Sequence, residues 1–169
     1  CKAGRDARLC FTVPECNSLG TALLGGAGLD EAVTRVRSGA ADTVIILEND
    51  VFRRLDPAAS ESLLGARHVI VLDHLLHVAA RRAEVALPAA AFPEATGTLV
   101  NSEGRAQRFF QVFVPPDPIQ ASWRWLGELM AASGRSPANP WPELDALLAA
   151  IAAEYPVFAE IQAVAPPAG

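Results

Sequence analysis

Apolar residues along the chain alternate between short continuous runs and stretches with helical spacing. Two runs, Thr43-Val-Ile-Ile-Leu47 and His68-Val-Ile-Val-Leu72, are rich in β-branched residues. Such runs are typical of strands that are covered on both faces. Glu84-Val-Ala-Leu87 is a shorter run of the same kind. The pattern therefore predicts three buried strands.

A stretch with helical spacing precedes each predicted strand. The first predicted helix starts around Leu29, with Asp30 as its cap, and ends near Gly39. The second starts at Asp56-Pro57 and stops before Gly65, and the third covers Leu75 to Arg82. Because no tight hairpin separates the strands, parallel strands with right-handed crossovers are expected. The sequence predicts a three-layer α/β/α fold with a mainly parallel, doubly wound sheet.

The pattern changes after Pro88. Gly97-Thr-Leu-Val100 and the stretch from Arg108 to Val114 predict two extended segments, joined by a turn at Asn101-Ser-Glu-Gly104. Helical spacing then returns in Ile119 to Ala132 and in Trp141 to Glu154. We predict an irregular segment over residues 1–28, an α/β domain over 29–134 and a helical tail over 135–169.

Composition and charge exclude several classes of protein. The formal net charge is -5, from 14 basic and 19 acidic residues, which disfavours a nucleic-acid-binding surface. The longest uncharged stretch, Cys16 to Leu29, is too short to span a membrane. The odd set of three cysteines, Cys1, Cys10 and Cys16, does not suggest a disulfide framework. Because the chain starts with a cysteine, we expect it to be a piece of a longer protein.

Three further features invite interpretation as sites. The cysteines lack the close pair typical of zinc or iron-sulfur ligands, so buried or incidental thiols are the simpler interpretation. Gly25-Gly26-Ala27-Gly28 precedes a helix but lacks a preceding strand and a complete nucleotide-binding motif. His74 and His77 could begin a metal site, but a helix surface explains them without one. The residues alone predict no catalytic, cofactor-binding or metal-binding residue.

The stretch from Glu94 to Gln107 is the one whose polar residues are hard to assign to packing alone. A glycine precedes an extended run, and a turn rich in Asn, Glu, Gly, Arg and Gln follows it. One interpretation is a hairpin in which the Asn101 and Arg105 side chains bond to backbone. In such a hairpin Gly97 and Gly104 are expected in backbone conformations that other residues resist. A contact to a ligand or a partner is the alternative.

This stretch resembles the molybdopterin oxidoreductase superfamily, over roughly Cys16 to Gly134. The resemblance is carried by a strand that ends in Leu87-Pro88 and by eight motif residues: Glu94, Gly97, Thr98, Asn101, Glu103, Gly104, Arg105 and Gln107. Within the superfamily, Val-Asn-Ser-Glu-Gly-Arg-Ala-Gln looks most like the family of large iron-sulfur subunits of NADH-quinone oxidoreductase, or respiratory complex I. The motif residues are candidates for a structural or a contact role.

The resemblance implies a formate dehydrogenase/DMSO reductase-like domain in a parent that takes part in electron transfer from NADH to quinone. It places iron-sulfur clusters in the N-terminal part of the parent and no cofactor in this chain. The chain would then be an inactive docking domain, in contact with the rest of the parent and with other peripheral-arm subunits. The parent would lie on the cytoplasmic side of the bacterial inner membrane, peripherally and without membrane insertion.

Two alternatives remain open at this point. One is a domain of a molybdopterin-dependent oxidoreductase, such as a formate dehydrogenase, that contacts the pterin cofactor. The other is a free-standing binding module of flavodoxin-like shape.

Overall fold

The computed structural model describes residues 12–13, 15–134 and 140–164. These residues form two compact units. The sheet unit comprises Gly26–Thr96 and the described part of Phe110–Leu147. The hairpin unit comprises Gly97–Phe109 and the described parts of Cys1–Gly25 and Leu148–Gly169. The division at residues 28 and 134 that the sequence suggests stays a prediction.

Six α-helices and five strands lie in the described residues. The helices are α1 (Ser18–Leu23), α2 (Leu29–Arg37), α3 (Pro57–Leu64), α4 (Val78–Arg82), α5 (Ser122–Ala132) and α6 (Leu144–Glu154). The strands are β1 (Thr43–Leu47), β2 (His68–Asp73), β3 (Val85–Pro88), β4 (Gly97–Val100) and β5 (Ala106–Phe109). None of the described helices is both long and apolar enough to span a bilayer.

The sheet unit is built on a parallel sheet with the strand order β1-β2-β3. Ile46 lies beside Val71, and Val71 lies beside Ala86. The predicted α/β class and the parallel pairing of the three strands are thus confirmed.

One face of this sheet is covered by α2, α3 and α4. Each helix contributes to a single buried cluster with the inward residues of β1 and β2. The cluster comprises Val33, Ile46, Val51, Leu63, Val69, Val71, Ala79 and Ala80. Burial of this apolar surface is the main stabilising contribution to the sheet unit.

The second face of the sheet is covered unevenly. Leu72 points away from the three-helix cluster and is fully buried. Helix α5 contacts β2, and its Trp125 donates a hydrogen bond from Nε1 to the carbonyl oxygen of Pro88 at 2.8 Å. Ser122, the first residue of α5, donates a hydrogen bond to the carboxylate of Glu48 after β1. In contrast, Ile45 and Leu47 of β1 remain 49% and 46% exposed.

The first residues of α2 and α3 can be compared with the predicted starts of these helices. The predicted start of α3 is confirmed, because Asp56 Oδ1 accepts a hydrogen bond from the Ala59 amide at 2.8 Å. For α2 the predicted cap is wrong. Gly28 is the N-cap, and Asp30 lies in the first turn, where its negative charge suits the helix dipole.

The predicted start of α4 at Leu75 is also wrong, since the helix begins at Val78. The Leu75 amide donates instead to Asp73 Oδ1 at 2.8 Å, which forms a turn after β2. His77 then caps the helix by accepting from the Ala80 amide. Two local polar contacts thus delay the helix by three residues.

Helices α5 and α6 begin after the predicted positions of Ile119 and Trp141, at Ser122 and Leu144. For α5 the reason is tertiary. The carbonyl oxygen of Gln120 accepts a hydrogen bond from the Ala90 amide, so the residues before Ser122 extend alongside the end of the sheet.

The fully buried Leu72 provides a test of the second face. We expect Leu72→Ala to lower the free energy of unfolding by about 2–5 kcal/mol, because it leaves a cavity that α5 cannot fill. Leu75→Ala is the matched control, since Leu75 is 60% exposed and should change stability little. Urea denaturation of both variants measures the difference. Equal losses of stability in the two variants would show that α5 does not bury Leu72.

An ion pair between α3 and α4 provides a second test. Arg82 donates two hydrogen bonds to the carboxylate of Glu61, both at 2.7 Å, and these lower the pKa of Glu61 below its ordinary value. The pair therefore stabilises the fold above the unfolded-state pKa of Glu61, and this contribution is lost as pH falls through the lowered pKa. In Arg82→Gln, NMR titration should show the Glu61 pKa rise. An unchanged pKa would contradict the contact.

Candidate functional site

Seven of the eight motif residues lie in an antiparallel hairpin formed by β4 and β5 and their turn, and Thr98 pairs with Arg108 within it. The predicted pairing and the predicted β4 are confirmed. The second strand is displaced, because β5 spans Ala106–Phe109 rather than Arg108 to Val114.

The shift of β5 has a specific cause in the sheet unit. The Gln111 amide donates to Thr96 Oγ1 at 3.0 Å, and the amides of Val112 and Phe113 both donate to the Pro93 carbonyl oxygen. These amides are therefore committed to the segment before β4. The alternation of residues in the sequence does not show that these two acceptors lie near the amides, so it could not predict where β5 ends.

Asn101 organises the turn between the two strands. Its Oδ1 accepts hydrogen bonds from the amides of Glu103 and Arg105, at 3.0 and 2.9 Å. Its backbone amide donates to the carbonyl oxygen of Arg105 at 3.1 Å. The prediction that the Asn101 side chain bonds to backbone is confirmed.

Arg105 contributes to the turn in another way than predicted. Its backbone amide and carbonyl are held by Asn101, but within the described part of the chain no hydrogen bond to its guanidinium is found. Glu103, Arg105 and Gln107 are all exposed. Their side chains are therefore accessible for contacts outside the hairpin.

The two motif glycines are required for different reasons. Gly104 has φ +80°, a left-handed conformation that most side chains resist, as the turn pattern predicts. The same expectation is wrong for Gly97, because its φ is not in the left-handed region. A Cβ at Gly97 would instead lie 2.6 Å from the ring of Phe109, its neighbour on β5. Close packing against an aromatic ring is the constraint there.

Asn17 is a residue of the hairpin unit whose role the sequence pattern does not reveal. Its Oδ1 accepts a hydrogen bond from the amide of Val100 at 2.8 Å. This bond links the segment before α1 to β4, 83 residues along the chain. The stretch Asn17-Ser-Leu-Gly20 lies within the family resemblance, which is the one signal in the sequence that points to it.

Thr98 faces a different environment. Its hydroxyl is buried and has no hydrogen-bond partner among the described residues. A small cavity of about 110 Å³ lies beside β4, lined by Thr98 and Asn17 together with apolar residues of the hairpin unit such as Leu148 and Phe158. Its size and lining suit at most a few waters.

Glu94 lies in the sheet unit, at the end of a short 3-10 turn over Phe92–Glu94. Its Oε2 accepts a hydrogen bond from the Ala91 amide at 2.9 Å, and its carbonyl oxygen accepts from Gln111 Nε2 at 3.1 Å. The carboxylate therefore stabilises its own turn.

The histidines are placed differently from the interpretation that the sequence favours. His77 is not on a helix surface, since its side chain is 13% exposed and its Nε2 lies 3.2 Å from Asp73 Oδ2. His74 Nδ1 lies 3.3 Å from Asp73 Oδ1. Asp73 is a carboxylate partner for both rings, and its spacing of four residues from His77 is the signal that could have indicated it.

These contacts do not build a metal centre. Within residues 12–13, 15–134 and 140–164, no group of three or more Asp, Glu, His or Cys side chains could hold a metal ion. Cys16 is exposed and free, whereas Cys1 and Cys10 lie outside the described residues. Gly28 serves as the N-cap of α2.

The left-handed turn residue provides a test of the hairpin. We expect Gly104→Val to destabilise the chain by about 1–3 kcal/mol through backbone strain, because no neighbouring atom would contact the added Cβ. Gly104→Asn should cost less, since asparagine tolerates this conformation. Thermal unfolding of both variants measures the difference. Two variants as stable as the unchanged chain would show that the turn is not constrained.

Comparisons of the sequence with known proteins agree with the motif resemblance. A model of the molybdopterin oxidoreductase family matches residues 20–132. The G subunit of NADH-quinone oxidoreductase from Pseudomonas fluorescens is 44% identical over 171 residues, which is 97% of this chain and 19% of that protein. The G subunits of Salmonella typhimurium and Escherichia coli K12 are each 37% identical, over 98% of this chain and 19% of the relative.

The chain thus spans about a fifth of the length of the curated relatives that it matches. The predicted resemblance to the large subunit of NADH-quinone oxidoreductase is confirmed at the level of sequence similarity. Because the family model covers most of the chain, including the sheet and the whole motif, the chain belongs to the molybdopterin oxidoreductase family.

Proposed function

We propose that this chain is a structural and docking domain of a G subunit of NADH-quinone oxidoreductase, without a redox centre of its own. The longer protein would take part in electron transfer from NADH to quinone. Similarity at 37–44% identity over nearly the whole chain supports this assignment.

The observation that carries the docking role is the use of the motif's polar groups. Asn101 and Glu94 direct their side-chain oxygens at amides of their own turns, at distances of 2.9–3.0 Å. Gly97 and Gly104 serve packing and backbone conformation. Residues used in this way stabilise the local fold and do not take part in a reaction.

The family name raises the question of a pterin cofactor, and the best-placed cavity does not fit one. This cavity, of about 360 Å³, lies at the carboxyl ends of β2 and β3, where α/β sheets bind ligands. Apart from Asp73 and His74 its lining is apolar, and both oxygens of Asp73 already contact neighbouring groups of the chain. A pterin nucleotide would leave many polar atoms without partners there. The proposed function therefore contains no pterin-dependent step.

The remaining parts of the proposal concern the longer protein. Its iron-sulfur clusters would lie in the N-terminal part, outside this chain. Its partners would be the other peripheral-arm subunits, on the cytoplasmic side of the bacterial inner membrane. A run of exposed apolar side chains at Val112, Phe113 and Val114 supports extensive contacts, since Val114 is 87% exposed.

Substitution of Asn101 in the full-length protein tests the docking role. Asn101→Ala removes the acceptor of two turn amides, so we expect the amount of assembled complex to fall several-fold. NADH:quinone turnover per assembled complex should stay unchanged. Native gel electrophoresis with quantified complex, combined with turnover measurements, separates the two quantities.

Asn101→Asp is the matched control, because a carboxylate keeps an acceptor for the same two amides and should restore assembly. A normal amount of complex with reduced turnover in Asn101→Ala would place the residue in the reaction and overturn the docking role.

A further inference from the structure

His77 uses both nitrogen atoms of its ring in contacts with its own chain. Nε2 lies 3.2 Å from Asp73 Oδ2, and Nδ1 accepts a hydrogen bond from the Ala80 amide at 3.4 Å. A backbone amide can only donate, so Nδ1 carries no proton in this arrangement. A carboxylate can only accept, so Nε2 carries the proton of the ring. The two contacts therefore require a neutral His77 ring that is protonated at Nε2.

The hydrogen bond from Ala80 has no substitute within α4. Ala80 is the third residue of this helix, and the first amides of a helix find no carbonyl acceptor in the helix itself. Ala80 is also only 5% exposed, which limits the access of water to a released amide. The unprotonated Nδ1 of His77 is thus the group that satisfies this amide.

Protonation of His77 affects its two contacts in opposite ways. The Nε2–H group still donates to Asp73 in the imidazolium, and the positive charge favours the carboxylate. Nδ1, in contrast, gains a proton and then directs one donor at another, the Ala80 amide. A turn of the ring does not restore the cap, because both nitrogens of the imidazolium are donors. Protonation therefore removes the cap of α4 and keeps the contact with Asp73.

The segment before α4 depends on such polar contacts. Leu75, Leu76 and Val78 are 60%, 58% and 53% exposed, so burial of apolar surface contributes little to the conformation of residues 74–78. Ala79, in contrast, is fully buried and packs in the cluster that joins α4 to the sheet. Loss of the cap should therefore open the start of α4 and leave the sheet intact.

The ionisable groups on the elements around α4 have other roles. Helix α4 contacts β2 and β3. At the end of β2, His74 Nδ1 lies 3.3 Å from Asp73 Oδ1 and contacts the same carboxylate as His77. Other ionisable groups of the neighbouring elements have contacts elsewhere: Glu61 with Arg82, His68 with Glu84, Glu94 with the Ala91 amide, and Glu48 with Ser122, whereas Arg81 is exposed. Among these described groups, His77 is the one whose protonation removes a hydrogen bond from α4.

We propose that His77 is a proton-controlled cap of α4. While the ring is neutral it holds residues 74–78 in place, and when Nδ1 is protonated it releases the first turn of the helix. Asp73, Leu75 and Leu76 also line the cavity of about 360 Å³ at the carboxyl ends of β2 and β3, so the release changes the wall of this cavity. The proposal goes beyond the docking role and does not depend on it, because it concerns contacts within the sheet unit.

Residue-resolved amide hydrogen exchange of the full-length protein tests the cap. Exchange is compared at about pH 8 and about pH 5, on either side of the ordinary titration of histidine, after correction for the pH dependence of exchange in unstructured peptides. We expect the protection of the Ala80 amide to fall about fivefold or more at the lower pH, which is the usual size of the effect of a lost cap. Equal protection of Ala80 at both pH values would overturn the proposal.

The Leu75 amide is the internal control for this measurement. It donates to Asp73 Oδ1, and this acceptor is unaffected by a proton on His77, so its protection should stay the same at both pH values. A parallel loss of protection at Leu75 would show that Asp73, rather than the cap, responds to pH, and would also overturn the proposal.

Two variants separate His77 from its neighbour. Asparagine caps helices through a side-chain oxygen that does not titrate, so His77→Asn should protect the Ala80 amide equally at both pH values. His74→Asn is the matched control, because His74 contacts Asp73 without capping α4, and it should keep the pH dependence of the unchanged protein. A pH-dependent Ala80 amide in His77→Asn would assign the response to another group, and a pH-independent one in His74→Asn would assign it to His74. Either result would overturn the proposal.

Discussion

The sheet unit depends on one constraint, the position of α3 and α4, which connect its parallel strands, on the same face of the sheet. Because α2, α3 and α4 are all placed on one face, a single apolar cluster around Val71 can join three helices to two strands. The same constraint leaves the second face to α5, which covers Leu72 but not Ile45 or Leu47. The placement of these helices therefore decides which residues of the sheet are buried and which are exposed.

In the hairpin, the motif residues form most of their contacts with one another. Its motif residues satisfy one another locally: Asn101 holds two amides, Gly104 permits the turn, and Gly97 admits the ring of Phe109. A turn with internally satisfied polar groups is largely independent of a ligand. Its exposed residues, such as Arg105, remain available to contact other parts of a larger assembly.

Polar contacts at the strand ends adjust the simple alternation of helix and strand. Asp73 binds the Leu75 amide and contacts His77, and these bonds delay α4. Glu48 accepts from Ser122, which fixes the start of α5 near the end of β1. These contacts lie at the carboxyl ends of the strands, where α/β proteins often bind ligands. Here they stabilise the fold of the chain itself.

The sequence by itself determined the parallel strands, the start of α3 at Asp56 and the turn at Asn101, because local periodicity and short-range side-chain bonds dictate them. It also determined the family, through a motif that is continuous in the chain. Only the tertiary structure decided the bounds of β5 and the role of Asn17. These depend on which acceptor lies nearest in space. The Val100 amide, for example, donates to the side chain of Asn17, 83 residues earlier in the chain, and no local pattern records such a contact.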